Sequence, residues 1–291
     1  MKGGKQPHLS SGPHVVFAGK NMGNKLSGII VVKIGGSTFG KHEPSVLDVG
    51  DVNDIVELQR RGIPTVIVHG GGKMITEWLE KQAIPTHFVR GERVTDRPTL
   101  EVVISVLAGL ANKEIVALIN SRGGKAVGIS GVDGALLESK LREKEMGFVG
   151  TVTKVNVGIL NTLLSSGFMP VIAPLSIHSP GGSGSEPQIL NVNGDTVAGE
   201  IAAAVAAERL IFLTDVDGIH DKQDNLIPDL SPAEAEELLS SEVASGGMIP
   251  KLRACLRALS RSRTASIIGG KTPHALLRVI EGDRIGTTIR K

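Results

Sequence analysis

This sequence predicts an α/β fold with a mostly parallel sheet covered by helices, on three observations. From Gly28 onward, short apolar runs alternate with segments of helical period. Two of the runs, ending at Lys33-Ile34-Gly35-Gly36 and at His69-Gly70-Gly71-Gly72, close in glycine clusters, and the second leads straight into a helical pattern. The chain has 291 residues and is 41% hydrophobic, enough to bury the core of one large α/β domain or two smaller lobes.

Taken in order, the strands are expected at 29–34, 65–69, 126–130, 170–173, 210–214 and 266–268. Most are short and β-branched, as buried parallel strands are. Helical patterns fill the intervals at 51–61, 73–82, 99–122, 157–166, 196–207, 232–240 and 250–261. Residues 148–153 read as one strand of a hairpin, and the Gly/Ser/Pro-rich residues 179–188 as a surface insert. Residues 1–27 lack an apolar period and contain Pro7 and Pro13, so they read as a tail.

Composition narrows the function classes. A net charge of +2 gives no large basic field, and aromatics at 2% with no tyrosine leave few platforms for base stacking, so nucleic acid is not an expected partner. The apolar runs read as strand-length, and no membrane association is expected. A lone Cys255 forms no intrachain disulfide and no cysteine metal site, which fits a cytoplasmic protein.

Five clusters carry chemistry. Lys33 lies near the end of a hydrophobic strand, where a buried ammonium calls for an anion, and Gly35 and Gly36 let backbone N–H groups approach that anion. The second glycine junction, through Gly71 and Gly72, opens a helix whose N-terminus also attracts negative charge. Neither cluster is a standard nucleotide fingerprint, and a plain tight turn explains either one alone. Together they suggest two anionic groups held face to face.

The run Leu190-Asn191-Val192-Asn193-Gly194-Asp195 places two amides and a carboxylate before an alanine-rich helix. One such residue suffices as N-cap, which leaves others to face a site: Asp195 to order positive charges, Asn191 to hydrogen-bond a substrate. Gly246-Gly247-Met248-Ile249-Pro250-Lys251 opens a basic helix with Pro250 suited to its first position. A lysine in the first turn opposes the helix dipole unless an anion compensates, which singles out Lys251. Thr214-Asp215-Val216-Asp217-Gly218-Ile219 ends a strand with closely spaced acids. It lacks the spacing of a calcium loop and suits a nucleotide at the carboxyl end of a parallel strand. No metal site is assigned.

In this order the chain carries V-V-K-I-G-G-S, V-H-G-G-G, G-E-R-V-T-D, A-G-L-A-N-K-E, L-N-V-N-G-D, T-D-V-D-G and G-G-M-I-P-K. It thereby resembles the acetylglutamate kinases of the amino acid kinase superfamily over roughly residues 28–289. The resemblance implies an open, mainly parallel eight-stranded sheet sandwiched between helices. It also implies an N-terminal lobe at 28–175 for the acyl amino acid and a C-terminal lobe at 176–291 for ATP. By motif, Lys33 and Lys251 would stabilise the transferring phosphoryl group and Asp195 would hold them in place. Gly35, Gly36 and Gly71 would donate N–H groups near the phosphoryl path. Arg93 would clamp a substrate carboxylate, with Gly71, Gly72 and Asn191 completing that site. Thr214, Asp215, Asp217, Gly218, Ile219, Gly247 and Met248 would surround the nucleotide. Glu92 stands where the family often has an apolar residue, and Arg284 replaces a glycine in a segment that surrounds arginine in inhibited members. Residues 1–27 do not resemble the helix that joins those members into hexamers, so a homodimer is expected.

The implied reaction is phosphorylation of the side-chain carboxylate of N-acetyl-L-glutamate by ATP with Mg²⁺, an early step of arginine synthesis. It has its own logic. A carboxylate with a pKa of about 4.3 is ionised at neutral pH, so attack on the γ-phosphorus needs no general base. Charge repulsion is the obstacle, and lysines with N–H donors answer it. The competing readings are a kinase of another amino-blocked acid, such as an aminoadipate derivative, and a non-catalytic sensor with the same fold.

Overall fold

Strands buried on both faces build the architecture. The structure is a computed structural model that describes residues 28–35, 49–178, 187–241 and 246–291. The expected tail at 1–27, Gly36 and residues 179–186 of the expected insert lie outside the described residues.

All five residues of the strand Ile30–Ile34 are buried, and it lies in the interior of an eight-stranded sheet. The order is Asp229–Leu230, Thr287–Arg290, Thr264–Gly269, Arg209–Thr214, Ile30–Ile34, Thr65–His69, Met169–Ala173 and Ala126–Ser130. Neighbours are parallel throughout except Thr264–Gly269 with Thr287–Arg290. On one face Val31, Val66, Val68, Leu210 and Phe212 pack with residues of the helices Gly158–Ser165, Gly194–Ala204 and Met248–Leu259. On the other, Ile30, Val32, Ile34, Ile67, Ile211 and Leu213 pack with Val49–Arg60, Asn112–Ser121 and Ala275–Glu281.

Strand parity now places the chemistry. Lys33 alternates with Val32 and Ile34, so it shares the face of Val31 and meets the helices that begin near Asp195 and Lys251. His69, one step beyond Val68, points to the opposite face, where Asn112 lies. Those two helices approach closely because Gly199 has no side chain: a Cβ there would stand 2.8 Å from the Ala254 carbonyl oxygen. Farther along the same pair, Arg257 Nε donates to both carboxylate oxygens of Glu200 at 2.9 Å, an ion pair between the two helices.

Several elements go beyond the sequence expectation. A four-stranded sheet runs Gln188–Asn191, Leu175–His178, Leu137–Leu141, Gly150–Val155, its last pair being the antiparallel hairpin expected from 148–153. Its other strands, and Thr287–Arg290 and Asp229–Leu230 in the large sheet, are short and mixed in polarity, and so carry little periodic signal. The segment expected as one helix at 99–122 is three in series: Arg97–Ile104, a π-helical stretch Ser105–Ala111, and Asn112–Ser121. The whole run, Arg97–Ser121, is long and apolar enough to cross a membrane by length and composition, contrary to the expectation of strand-length apolar runs only. Here Val103, Leu107, Ala111, Ile115 and Ile119 bury one side of it in the protein core.

Candidate functional site

Asn193 caps the helix Gly194–Ala204, accepting from the N–H groups of Asp195 at 2.8 Å and Thr196 at 3.2 Å. That frees the Asp195 carboxylate to leave the helix sideways. It accepts Lys33 Nζ on Oδ1 at 2.6 Å and Lys251 Nζ on Oδ2 at 3.2 Å. Lys251 also donates to the Gly247 carbonyl at 3.2 Å. Its helix begins at Met248, two residues before the position expected from Pro250. The anion needed to offset a first-turn lysine is thus Asp195.

Lys33 is 6% exposed and Asp195 5%. Burial pushes the Lys33 ammonium below its ordinary pKa, with Asp195 opposing that and Lys251 adding to it. Burial would raise the Asp195 carboxyl, but Lys33 and then Lys251 outweigh it and hold the group below the usual range. Two ammonium groups share one carboxylate, and Asp215 draws on Lys33 more weakly. Such a cluster is suited to receive a further anion.

Gly35 is where the first glycine motif acts. A Cβ there would lie 1.9 Å from Lys33 Nζ, so only glycine lets the lysine fold back over its own strand end. The Gly35 N–H donates to the Leu213 carbonyl at 3.2 Å, so the residue contributes clearance for Lys33 in this state. Gly36 lies outside the described residues.

Gly71, Gly72, Arg93 and Asn191 come together around a cavity of about 200 Å³, with Gly70, Phe88, Leu107 and Gly194 also in its wall. Lys33 lies behind two of its wall residues: a Cβ on Gly194 would be 3.6 Å from Lys33 Cε, and one on Gly70 would be 3.8 Å from Lys33 Nζ. Arg93 is 8% exposed. Its Nη2 donates to Thr76 Oγ1 at 2.8 Å and to the Gly72 carbonyl at 3.1 Å, and its Nη1 to Thr86 Oγ1 at 3.3 Å. Its guanidinium stacks over Phe88 at 4.7 Å. Every one of these partners is neutral, so a buried cation faces a cavity without a carboxylate of its own among the described residues. Glu92 beside it is instead ion-paired with Arg142. That pairing neutralises the acid that stands where an apolar residue is common in the family the chain resembles.

Asp215, Asp217, Gly218, Ile219 and Met248 line a second cavity of about 910 Å³ with His220, Lys222 and Lys271. Thr214 and Gly247 are not in its wall. Thr214 is buried at the strand end, donating to Asp215 Oδ1 at 3.1 Å, and Gly247 lines a separate cavity of about 350 Å³ with Asn193 and Thr196. Thr287, in the last strand, fixes the acidic turn by accepting from the Ile219 N–H at 2.8 Å and donating to the Ile227 carbonyl at 2.6 Å. Nothing in the T-T-I-R sequence marks it, because its partners lie 60 or more residues away. Among the described residues no cluster of three or more His, Cys, Asp or Glu could hold a metal ion.

Comparison with known proteins agrees with this geometry. The Amino acid kinase family model matches residues 28–270. The acetylglutamate kinase of Dehalococcoides mccartyi is 45% identical over 269 residues, covering 92% of this chain and 97% of that protein. The acetylglutamate kinase of a Nostoc species is 48% identical over 266 residues, covering 89% and 86% respectively. The solved smu.665 structure from Streptococcus mutans superposes with a TM-score of 0.76 at 25% identity, covering 91% of this chain and 99% of its own. With matched motifs gathered around a lysine–aspartate–lysine cluster, the chain belongs to the amino acid kinase family.

Proposed function

We propose that this kinase transfers the γ-phosphoryl group of ATP to the side-chain carboxylate of N-acetyl-L-glutamate, giving an acyl phosphate in an early step of arginine synthesis. One observation carries the reading: Lys33, joined to Lys251 through Asp195, lies behind the Gly70 and Gly194 wall of the small cavity that holds Arg93, and Lys251 belongs to the helix whose first residue, Met248, walls the large cavity with the Asp215–Ile219 turn. The small cavity offers a guanidinium fork for one carboxylate of the acyl amino acid and the amide of Asn191 beside it. The large cavity suits the nucleotide, with Mg²⁺ carried in on its phosphates as part of the substrate. Residues 28–175 then serve mainly the acyl amino acid and 176–291 mainly ATP. In support, the walls of the large cavity come wholly from residues 215–271.

The acceptor carboxylate is already ionised, so no group need remove a proton. Lys33 and Lys251 spread the charge that builds on the transferring group, and the Gly71 and Gly72 backbone supplies donors on the acceptor side. In the proposed working form the chain is a cytoplasmic homodimer, to be checked by sedimentation.

Activity is tested by ADP release with hydroxylamine trapping of the acyl phosphate, on acetylglutamate, acetylaspartate and amino-blocked aminoadipate. The expected order puts acetylglutamate first by kcat/KM. A higher value for an aminoadipate derivative would reassign the acceptor, and no turnover on any acid would favour a sensor.

Arg93→Lys is expected to raise KM for the acyl amino acid about tenfold while KM for ATP stays near wild type, since only the fork geometry is lost. Steady-state kinetics in both substrates check this. Equal rises in the two KM values would place Arg93 outside the acceptor site.

A further inference from the structure

Beneath the second glycine cluster lies a fully buried histidine. His69 Nδ1 is 2.8 Å from the Gly70 carbonyl oxygen, which can only accept, so Nδ1 carries the proton. Nε2 is left as an acceptor, and Asn112 Nδ2 stands 3.2 Å from it. The same amide nitrogen donates to the Val171 carbonyl at 2.9 Å and approaches the Ile129 carbonyl at 3.3 Å. Asn112 Oδ1 accepts from Lys113 Nζ at 3.0 Å, and Gly128 leaves room for it, since a Cβ there would be 2.0 Å away. Burial pushes the imidazole down to about 4, with Lys33 and Lys113 adding to the effect, so the ring is neutral at physiological pH.

These contacts form a chain from the sheet to the glycine turn. The Gly70 carbonyl is held by His69, and the Gly70 N–H donates to the Ile34 carbonyl at 2.9 Å, so that residue is clamped from both sides. Gly71 and Gly72 follow at once and open the helix Gly72–Lys81, whose first N–H groups have no intrahelical acceptor. The π-helical stretch that ends at Ala111 sets both sides of the arrangement. It seats Leu107 so close to Gly71 that a Cβ there would be 2.7 Å from Leu107 Cδ2, and it delivers Asn112 beneath His69.

We propose that His69 and Asn112 are positioning residues for phosphoryl transfer: their hydrogen-bonded chain fixes Gly70 so that the N–H groups of Gly71 and Gly72, which follow it, meet the charge developing on the transferring group. Neither side chain touches substrate or moves a proton. Donors aimed at a transition state must be preorganised, and a misplacement of about 1 Å can cost on the order of 10²-fold in rate.

The test uses the full chain with the hydroxylamine assay, normalised to folded protein by circular dichroism. His69→Leu and Asn112→Ala are each expected to lower kcat about 10- to 100-fold with both KM values within about threefold of wild type. The double variant should be no slower than the worse single, because the two residues act in one chain. His69→Asn, which keeps a donor for the Gly70 carbonyl, should recover most of the loss, and it keeps the test open if His69→Leu fails to fold. Near-normal kcat in Asn112→Ala and His69→Leu would overturn the proposal, as would multiplicative effects in the double variant. So would a limb in the wild-type kcat–pH profile that His69→Asn removes, because it would make the histidine an acid or base. The inference rests on placing the phosphoryl path beside the glycine turn. Normal turnover in Lys33→Ala would fail that placement separately.

Discussion

Lys33→Ala and Lys251→Ala should each lower kcat by about 10²- to 10³-fold while KM for acetylglutamate changes little, the cost typical of removing one donor to a charge that develops in the transition state. The two lysines are not equivalent in the folded protein. Lys33 lies on a rigid central strand and bonds Asp195 at 2.6 Å, whereas Lys251 starts from a helix first turn and bonds it at 3.2 Å while also holding the Gly247 carbonyl. Loss of Lys33 leaves a space behind the Gly70 and Gly194 wall of the small cavity, and loss of Lys251 removes a cation from the helix whose first residue, Met248, walls the large one. ADP release followed under saturating substrates measures both. Wild-type turnover in both variants would sink the assignment of this cluster as the site of transfer.

Asp195→Asn should be costly in a different way, with stability falling by about 3–5 kcal/mol as well as activity, because two ammonium groups then stay in one pocket with no carboxylate between them. Both Lys33 and Asp195 are almost wholly buried, so solvent screens little of this loss. Urea unfolding of the free protein is the measurement, and added ATP should restore part of the stability by supplying anionic charge to the same place. The pH dependence has a definite sign. The folded-state carboxyl is held below its ordinary value of 3.8, so its stabilisation is fully present above that value and is lost as pH falls through the lowered one. Asp195→Asn should therefore remove part of the acid limb below pH 3.8. An Asp195→Asn protein as stable as wild type, with the same acid limb, would show that the lysines find other partners.

The sequence by itself determined the α/β class, the central strands and the residues of the lysine–aspartate–lysine cluster. The reason is that each signal is local. A continuous apolar strand such as Ile30–Ile34 declares that both its faces are buried, and a lysine inside it or in a first helical turn conflicts with its surroundings in a way an anion alone resolves. Lys33, Asp195, Lys251, Arg93 and Asp215 were legible on that basis or through the motifs around them.

What only the tertiary structure decided is which residues answer one another across long separations. Asn193, not its neighbours, caps the helix, and that choice frees Asp195. Gly199 against Ala254 sets the approach that joins Lys251 to Asp195 across 56 residues. Thr287 holds the Asp215–Ile219 turn from the last strand, Arg142 neutralises Glu92, and Asn112 supports His69 from a helix 43 residues on. The conformations of Thr287, Arg142 and Asn112 are unremarkable for their own segments. Their partners become neighbours only when the sheet order brings non-consecutive strands together, and a hydrogen bond between distant residues leaves no period or composition in the sequence to read.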